Sequence, residues 1–261
     1  MKRAIFFAIN RYPAPNALAG CITDAYCWQG LLAGGHGLPC SLVLDENCTT
    51  ERMRDEIAAA VASTKSGDTL LLGYSGHGAI LGDGRASLCP VDFDFDQKVL
   101  SCDDVAEILR PLPTDAALTV ILDSCHAGGV GPSLDREVRR WKARSWQHTR
   151  EPVALMRGMR AALPGHAVTL EACRADQTAA DATIDGTHCG AFSHYAIASL
   201  CAAPQTGLST IVEATAAALK AGGYEQAPCL AAPQAAQALP FLYEPYAAHL
   251  AAMPAGMVPP A

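Results

Sequence analysis

Short apolar runs alternate with longer amphipathic segments along this chain, and this alternation constrains the fold more than any other feature. The runs DTLLLGY (68–74) and ALTVILD (117–123) are largely apolar, which is typical of strands buried on both faces. The order of elements predicts an α/β fold with a mostly parallel six-stranded sheet and helices on both faces. The predicted strands are Arg3–Asn10, Cys40–Leu44, Asp68–Tyr74, Ala117–Asp123, Ala167–Ala172 and Cys229–Ala232.

The segments between these strands carry helix start and stop signals. Thr50 is the predicted N-cap of a helix that continues to about Ser63. Ser101 and Asp104 have the spacing of a capping box, and the helix that follows ends before Pro111. The other predicted helices are Asp24–Leu32, Ala191–Cys201 and Ser209–Lys220.

The size and composition favour one compact domain. The chain has 261 residues, of which 50% are hydrophobic and 17% charged, so a disordered protein is excluded and a single domain over residues 1–261 is predicted. A net charge of −7 argues against a nucleic-acid partner bound through the overall field of the protein. No segment has the roughly 18 apolar residues that a membrane helix requires, so no membrane partner is expected.

The N-terminus and the cysteines bear on the cellular compartment in which the protein is expected. The basic start followed by the apolar stretch Ala4–Ile9 imitates a signal peptide, but the stretch is short and Asn10 interrupts it, which favours a buried first strand. The eleven cysteines include no C-x-x-C pair, and a chain of this size needs no disulfide framework. We therefore expect a cytoplasmic protein in which most cysteines are small buried hydrophobic residues.

A basic insertion interrupts the acidic chain at about residues 131–165. Between Asp135 and Arg160 lie 8 of the 19 basic residues and three acids, so this segment has a charge of about +5 and the remainder about −12. One interpretation is a solvated or helical insertion that complements the acidic body. A Pro/Ala-rich tail is predicted from about residue 241.

Two glycine-bearing motifs follow the third and fourth predicted strands. They are YSGHG (74–78) and DSCHAGG (123–129), and we expect each to form a short turn. In an open α/β sheet, the crevice for ligands lies beyond the carboxyl ends of the strands. His77 and Cys125 should therefore meet there.

A cysteine beside a histidine is the arrangement that thiolate catalysis needs, because the imidazole holds or accepts the thiol proton. The adjacent His126 points away from Cys125, so His77 is the better partner. The backbone N–H groups of Gly78 and Cys125 are candidates for an oxyanion hole. The alternative is a buried cysteine and a hydrogen-bonded histidine with no chemical role.

Two other enzyme classes fit less well. GYSGH (73–77) approaches the G-x-S-x-G nucleophile elbow of serine hydrolases, but His77 stands where the tight turn needs its second glycine. No G-x-G-x-x-G motif or P-loop is present, so nucleotide binding is not expected.

Further motifs carry a resemblance to a known family. The two motifs around His77 and Cys125 resemble those of the type I metacaspases and their bacterial relatives, in the caspase-like clan of cysteine peptidases (family C14). The other similar segments are AINRY (8–12), LAGCITDA (18–25), LEACRADQTAAD (170–181), GAFSHYA (190–196) and QAPCL (226–230). The resemblance implies the caspase-like fold and a Cys125/His77 dyad that hydrolyses peptide bonds.

The resemblance also implies a substrate. Cys21, Asp24, Ser75 and Asp123 occupy positions at which the family lines its S1 pocket, which holds the P1 residue before the cleaved bond. Two carboxylates there suit a guanidinium or ammonium group, so protein or peptide substrates with Arg or Lys at P1 are expected. The alternative for Asp24 and Asp123 is a core-capping role.

An enzyme of this specificity would be its own substrate in the basic insertion, so self-cleavage after one of the basic residues from Arg136 to Arg160 is predicted. The alternative from another class is a catalytically silent caspase-like module that binds or scaffolds.

No cofactor is required for the predicted chemistry, and no residue is assigned as a metal ligand. Metacaspases often carry a calcium site made from aspartates, and Asp92, Asp103 and Asp104 are the matching candidates. A further aspartate expected after the nucleophile is absent, because Pro132 stands there and Asp135 is only nearby. Calcium activation is therefore a secondary expectation.

Overall fold

The computed structural model describes residues 1–125, 163–164, 166–174 and 177–243. Most of the basic insertion and of the C-terminal tail lies outside these residues. The described strands are β1 (Lys2–Ala8), β2 (Cys40–Leu44), β3 (Thr69–Ile80), β4 (Ala86–Leu88), β5 (Leu100–Ser101), β6 (Ala117–Cys125), β7 (Val168–Glu171), β8 (Asp181–Ile184), β9 (Thr187–Gly190) and β10 (Cys229–Ala231). The described α-helices are α1 (Cys21–Gly30), α2 (Thr50–Ser63), α3 (Cys102–Leu109), α4 (Ala191–Ala202), α5 (Leu208–Ala221) and α6 (Gln234–Gln237).

The main sheet has the strand order β10-β7-β6-β3-β1-β2. Strands β2, β1, β3, β6 and β7 are parallel, and β10 is antiparallel to β7. These six strands are the six predicted ones, so the α/β class and the mostly parallel sheet are confirmed. Two short strands join the sheet at the C-terminal end of β3, where β4 pairs with residues 78–80 and β5 pairs with β4. Strands β8 and β9 form a separate hairpin.

The sheet separates two hydrophobic cores. Ile5 and Phe7 of β1 lie in the core under α2 and α3, whereas Ala4 and Phe6 lie in the core under α1, α4 and α5. Alternate residues of a strand point to opposite faces, and all four side chains are at most 3% exposed. Burial on both faces explains why this strand contains an unbroken apolar run.

The third strand is longer than predicted. The sequence predicts an end at Tyr74 and a turn after it, whereas β3 continues through the YSGHG motif to Ile80. Pairing with β6 continues as far as His77 opposite Cys125, and β4 pairs with β3 from Gly78 onward. The motif is therefore in strand conformation, so the predicted turn at 74–78 is wrong.

Two predicted helix starts are also displaced. The N-cap of α2 is Thr49, whose side chain accepts a hydrogen bond from the N–H of Arg52, and Thr50 is the first helical residue. The first helix begins at Cys21 and not at Asp24. In both helices the predicted start lies within one turn of the observed start.

Two further expectations, the capping box and the burial of most cysteines, agree with the structure. Ser101 and Asp104 form the predicted capping box at the start of α3. The structure describes the side chains of ten cysteines, of which six are buried and none forms a disulfide. No helix in this part of the chain is long and apolar enough to span a membrane.

Candidate active site

The pairing of β3 with β6 assembles the centre of the site. The two strands are parallel and in register over nine residue pairs, ending with Ser75 opposite Asp123 and His77 opposite Cys125. Neighbouring strands are about 4.8 Å apart, so the register brings the predicted dyad positions side by side on the backbone. Gly78, the predicted oxyanion donor, follows His77 directly in β3.

The imidazole of His77 is buried and oriented by a main-chain carbonyl. Its side chain is among the buried polar groups, and Nε2 lies 2.7 Å from the carbonyl oxygen of Asn16. A carbonyl oxygen only accepts hydrogen bonds, so Nε2 carries the proton, and Nδ1 of the neutral ring is an acceptor. Burial lowers the pKa of His77 to about 4, so the ring is neutral at pH 7.

Two tyrosines hold the main chain around His77. The ring centroid of Tyr12 lies 4.5 Å from that of His77, and its hydroxyl accepts a hydrogen bond of 3.0 Å from the His77 N–H. The hydroxyl of Tyr74 donates to the His77 carbonyl over 2.6 Å. Because both polar backbone groups of His77 are bonded to buried side chains, its position is fixed independently of a substrate.

The second part of the site is a pair of buried carboxylates, those of Asp24 and Asp123. We call these two acids, together with Ser75 and Gly190, the acid pocket. The Ser75 hydroxyl donates to Asp24 Oδ2 over 2.8 Å, and the N–H of Gly190 donates to Asp24 Oδ1 over 2.8 Å. Asp123 Oδ2 accepts a hydrogen bond of 3.0 Å from the N–H of Ser193. Asp24 and Asp123 are 2% and 6% exposed.

Gly190 allows the two carboxylates to approach each other. A Cβ atom at Gly190 would lie 2.2 Å from Asp123 Oδ2 and 2.8 Å from Asp24 Oδ2, so these two oxygens are at most 5.0 Å apart. A side chain at this position would therefore displace one or both acids. Glycine is needed here for close approach and not for backbone strain.

Among the described residues, no basic side chain provides a counter-charge for the acid pocket. Within the described residues, neither Asp24 nor Asp123 forms an ion pair with a basic side chain. Burial raises the pKa of Asp123 to about 6, and the pKa of Asp24 is raised well above its usual range, first by burial and then by the Asp123 charge. An arrangement of this kind favours a cation that enters from outside.

Cys21 lies beside the acid pocket, close to Asp24 and Ser75. Its side chain is 5% exposed at the start of α1, and its N–H donates to Asn10 Oδ1 over 2.9 Å. Burial, followed by the Asp24 charge, raises the pKa of the Cys21 thiol well above the usual range. Cys21 is therefore an uncharged wall residue, since only a thiolate is an effective nucleophile.

The structure brings in four groups that the sequence analysis did not single out: the Tyr12 ring, the Asn16 carbonyl, and the N–H groups of Gly190 and Ser193. Gly190 and Ser193 belong to GAFSHYA, so that motif was the available signal for the acid pocket. The Asn16 carbonyl has no such signal, because any residue could supply it.

Two of the three candidate calcium ligands, Asp92 and Asp104, have other partners. Asp92 Oδ1 accepts hydrogen bonds from the N–H and the hydroxyl of Thr50, at 2.8 and 2.9 Å. Asp104 completes the capping box of α3 and pairs with Arg54 at 3.1 Å. No group of three or more potential metal ligands occurs in the described part of the chain. These residues therefore do not fit a calcium site as they stand.

Comparisons with known proteins agree with this geometry. The family model of the caspase domain matches residues 1–239. Metacaspase-1 of Arabidopsis thaliana is 32% identical over 199 residues, which cover 69% of this chain and 53% of that protein. Metacaspase-1 of Saccharomyces cerevisiae is 27% identical over 285 residues, covering 88% and 66%. The chain thus spans about half to two thirds of the length of these relatives.

Solved structures support the same fold. A protein from Geobacter sulfurreducens aligns with a TM-score of 0.66 at 18% identity, covering 92% of this chain and 97% of that one. Caspase-1 from Spodoptera frugiperda aligns with a TM-score of 0.56 at 15% identity, covering 88% and 86%. The predicted caspase-like fold is confirmed. Since the family match extends over more than nine tenths of the sequence, this chain belongs to the caspase-domain family, with metacaspases among its relatives.

Proposed function

We propose that this protein is a cysteine endopeptidase that cleaves after Arg or Lys through a Cys125/His77 dyad. The observation that carries the proposal is the β3–β6 register. It sets His77 opposite Cys125 and, two residues earlier, Ser75 opposite Asp123 of the acid pocket. One strand pair thus combines a base beside a cysteine with a buried anionic pocket, and this combination suits hydrolysis next to a basic residue.

In the proposed reaction, the Cys125 sulfur attacks the carbonyl carbon before the scissile bond, and its thiol proton passes to Nδ1 of His77. The N–H groups of Gly78 and Cys125 donate to the oxyanion. His77 then gives the proton to the leaving amine. Water attacks the acyl-enzyme and gives a proton to His77, which returns it to the sulfur as the acid product leaves.

The acid pocket supplies the preference for a basic P1 residue. A guanidinium or ammonium group that enters it meets two carboxylates already held by Ser75, Gly190 and Ser193. Pairing with the substrate offsets the cost of keeping these acids buried and ionised. An acidic P1 side chain would be repelled by the same charges.

A location in the cytoplasm belongs to the same proposal. The ten cysteines whose side chains the structure describes are all thiols, which is the state that a reducing compartment maintains.

Peptide reporters that differ only at P1 test the proposal. The wild type is expected to hydrolyse the Arg and Lys reporters and to leave the Asp reporter intact. Cys125→Ala and His77→Ala should each lower kcat/KM by a factor of roughly 10³ or more, because they remove the nucleophile and the base. A wild type that binds these peptides without hydrolysing them would instead indicate a catalytically silent module.

A further inference from the structure

We propose that Asp181 is a third acidic, specificity-determining residue of the pocket that receives the P1 side chain, where it favours Arg over Lys. The inference rests on the proposed function and adds a residue that lies outside the predicted pocket set of Cys21, Asp24, Ser75 and Asp123.

The β8–β9 hairpin carries Asp181 to the acid pocket. In the register of this hairpin, Asp181 pairs with Gly190. Gly190 is the residue whose N–H binds Asp24 and whose missing side chain makes room for Asp24 and Asp123. Directly opposed residues of antiparallel strands lie about 4.5–5.5 Å apart at Cα. The backbone of Asp181 therefore lies next to Gly190, the residue that adjoins both Asp24 and Asp123.

The carboxylate of Asp181 reaches the turn that starts α1. Its Oδ2 accepts a hydrogen bond of 2.8 Å from the N–H of Ala19. Its Oδ1 lies 2.5 Å from the place a Cβ atom would take at Gly20. This turn leads directly into the pocket residues Cys21 and Asp24, so Asp181 adjoins the pocket from the side of the hairpin.

The charge of Asp181 acts on the other pocket residues. It raises the pKa values of Asp24, Asp123 and Cys21, in each case as a smaller cause than burial. Asp181 is also only partly buried, whereas Asp24 and Asp123 are almost fully buried. Among Asp24, Asp123 and Asp181, the carboxylate of Asp181 is therefore the nearest to solvent. In the proposed complex it contacts the P1 group from the side of the β8–β9 hairpin.

A third carboxylate suits guanidinium better than ammonium. The planar guanidinium has five N–H donors that diverge around its rim, and it can bind acceptors on more than one side at once. The compact ammonium group of lysine has three donors and is more strongly hydrated. Loss of the Asp181 charge should therefore weaken Arg substrates more than Lys substrates.

Asp181→Asn is the test variant, because an asparagine oxygen can still accept the hydrogen bond from Ala19 N–H while the charge is lost. The matched control is Asp185→Asn, which makes the same charge change at an exposed residue of the same hairpin. Asp185 has φ of 50°, a conformation that asparagine tolerates.

For Asp181→Asn we expect KM for the P1-Arg reporter to rise about 10-fold and KM for the P1-Lys reporter to rise about 3-fold. The kcat should stay within about twofold of the wild type, and Asp185→Asn should leave both constants unchanged. Equal constants for the two variants would overturn the proposal. A parallel fall in kcat for both reporters would do the same, since it would indicate a structural role.

Alkylation of Cys125 provides a second readout. Iodoacetamide does not use the P1 pocket, whereas a peptidyl-arginine chloromethyl ketone does. Asp181→Asn should slow only the second reagent, and equal slowing of both would contradict a role in specificity. If the wild type cleaves neither Arg nor Lys reporters, the proposed function fails. If it cleaves them and Asp181→Asn does not differ from Asp185→Asn, only this inference fails.

Discussion

At the scale of single residues, the buried carboxyls of Asp24 and Asp123 impose a cost on folding. Both carboxyls have raised pKa values because they are buried, and the unfolded chain would release their protons more readily. Because of Asp123 the folded state holds more protons between about pH 4 and pH 6, so its stability falls as pH rises through that range. The raised pKa of Asp24 acts in the same direction.

Asp123→Asn should make the protein more stable and less active. The neutral amide keeps an acceptor for the Ser193 N–H. It also removes the carboxyl of Asp123, whose pKa burial raises to about 6. We expect the free energy of unfolding at pH 8 to increase by about 1–3 kcal/mol, with little change at pH 4. The kcat/KM for the P1-Arg reporter should fall at least 100-fold.

Thermal unfolding at the two pH values measures this effect, with Asp185→Asn as the control for a charge change at an exposed site. A lower melting temperature for Asp123→Asn at pH 8 would contradict the interpretation of the acid pocket as a functional site that costs stability.

The sequence indicates which residues come together at the candidate site where those residues stand in a motif. It does not do so where a residue's place depends on tertiary contacts. Asp24, Ser75 and Asp123 stand in motifs, and the structure brings them together. The Asn16 carbonyl could not be predicted, because its role depends on where a loop passes and not on its side chain.

At the scale of elements, the loop between β1 and α1 serves both parts of the site. Its Asn16 carbonyl binds His77, and its end places Cys21 in the pocket. Asn10 closes this loop, because its side chain accepts from the N–H of Cys21 and donates to the carbonyl of Ala19 over 3.1 Å. Asn10 is therefore a positioning residue for the base and for the pocket.

Asn10→Ala should impair binding and chemistry together. We expect kcat to fall and KM for the P1-Arg reporter to rise, each by roughly tenfold, since two partly buried hydrogen bonds are lost. Steady-state kinetics measures both constants. The control is Asn47→Ala, which removes an exposed asparagine near the start of α2 and should leave them unchanged. A change in KM alone would contradict a shared role for the loop.

The loop that contains Asp92 gives a prediction about calcium. Because Asp92 accepts two hydrogen bonds from Thr50, Asp92→Ala should lower the free energy of unfolding by about 1–2 kcal/mol. The loss should be equal in EDTA and in millimolar calcium, whereas Asp96→Ala, at an exposed position of the same loop, should have little effect. Calcium stabilisation of the wild type that disappears in Asp92→Ala would indicate a metal site after all.

The positions of strands and helices can be predicted where the apolar pattern is strong, but the residues at which they end cannot. The core strands follow from runs of hydrophobic residues, but glycine content suggested a turn at 74–78 where β3 continues. Pairing with β6 on one side and β4 on the other outweighs the local preference of glycine for turns. The β8–β9 hairpin escaped prediction because its strands are short and half polar.

At the scale of the whole molecule, charge is divided between an acidic body and the basic insertion. Self-cleavage after one of the basic residues from Arg136 to Arg160 remains a prediction, and these positions lie outside the described residues. Purified wild type should yield two fragments during incubation, and Cys125→Ala should remain intact. Mass spectrometry locates the new terminus.

Adding a trace of wild type to Cys125→Ala separates cleavage within one molecule from cleavage between molecules. Intact wild type after prolonged incubation would contradict self-cleavage. It would leave the insertion as a basic segment that complements the acidic body.

The in-register pairing of β3 with β6 has a consequence for how this protein can change. A single-residue deletion in 69–77 or 117–125 would shift one strand against the other and turn every later side chain to the opposite face. Base, pocket and nucleophile positions would lose their alignment in one event. Length changes between Cys125 and β7 leave this pairing untouched, so insertions and deletions should be tolerated there and excluded within the paired segments.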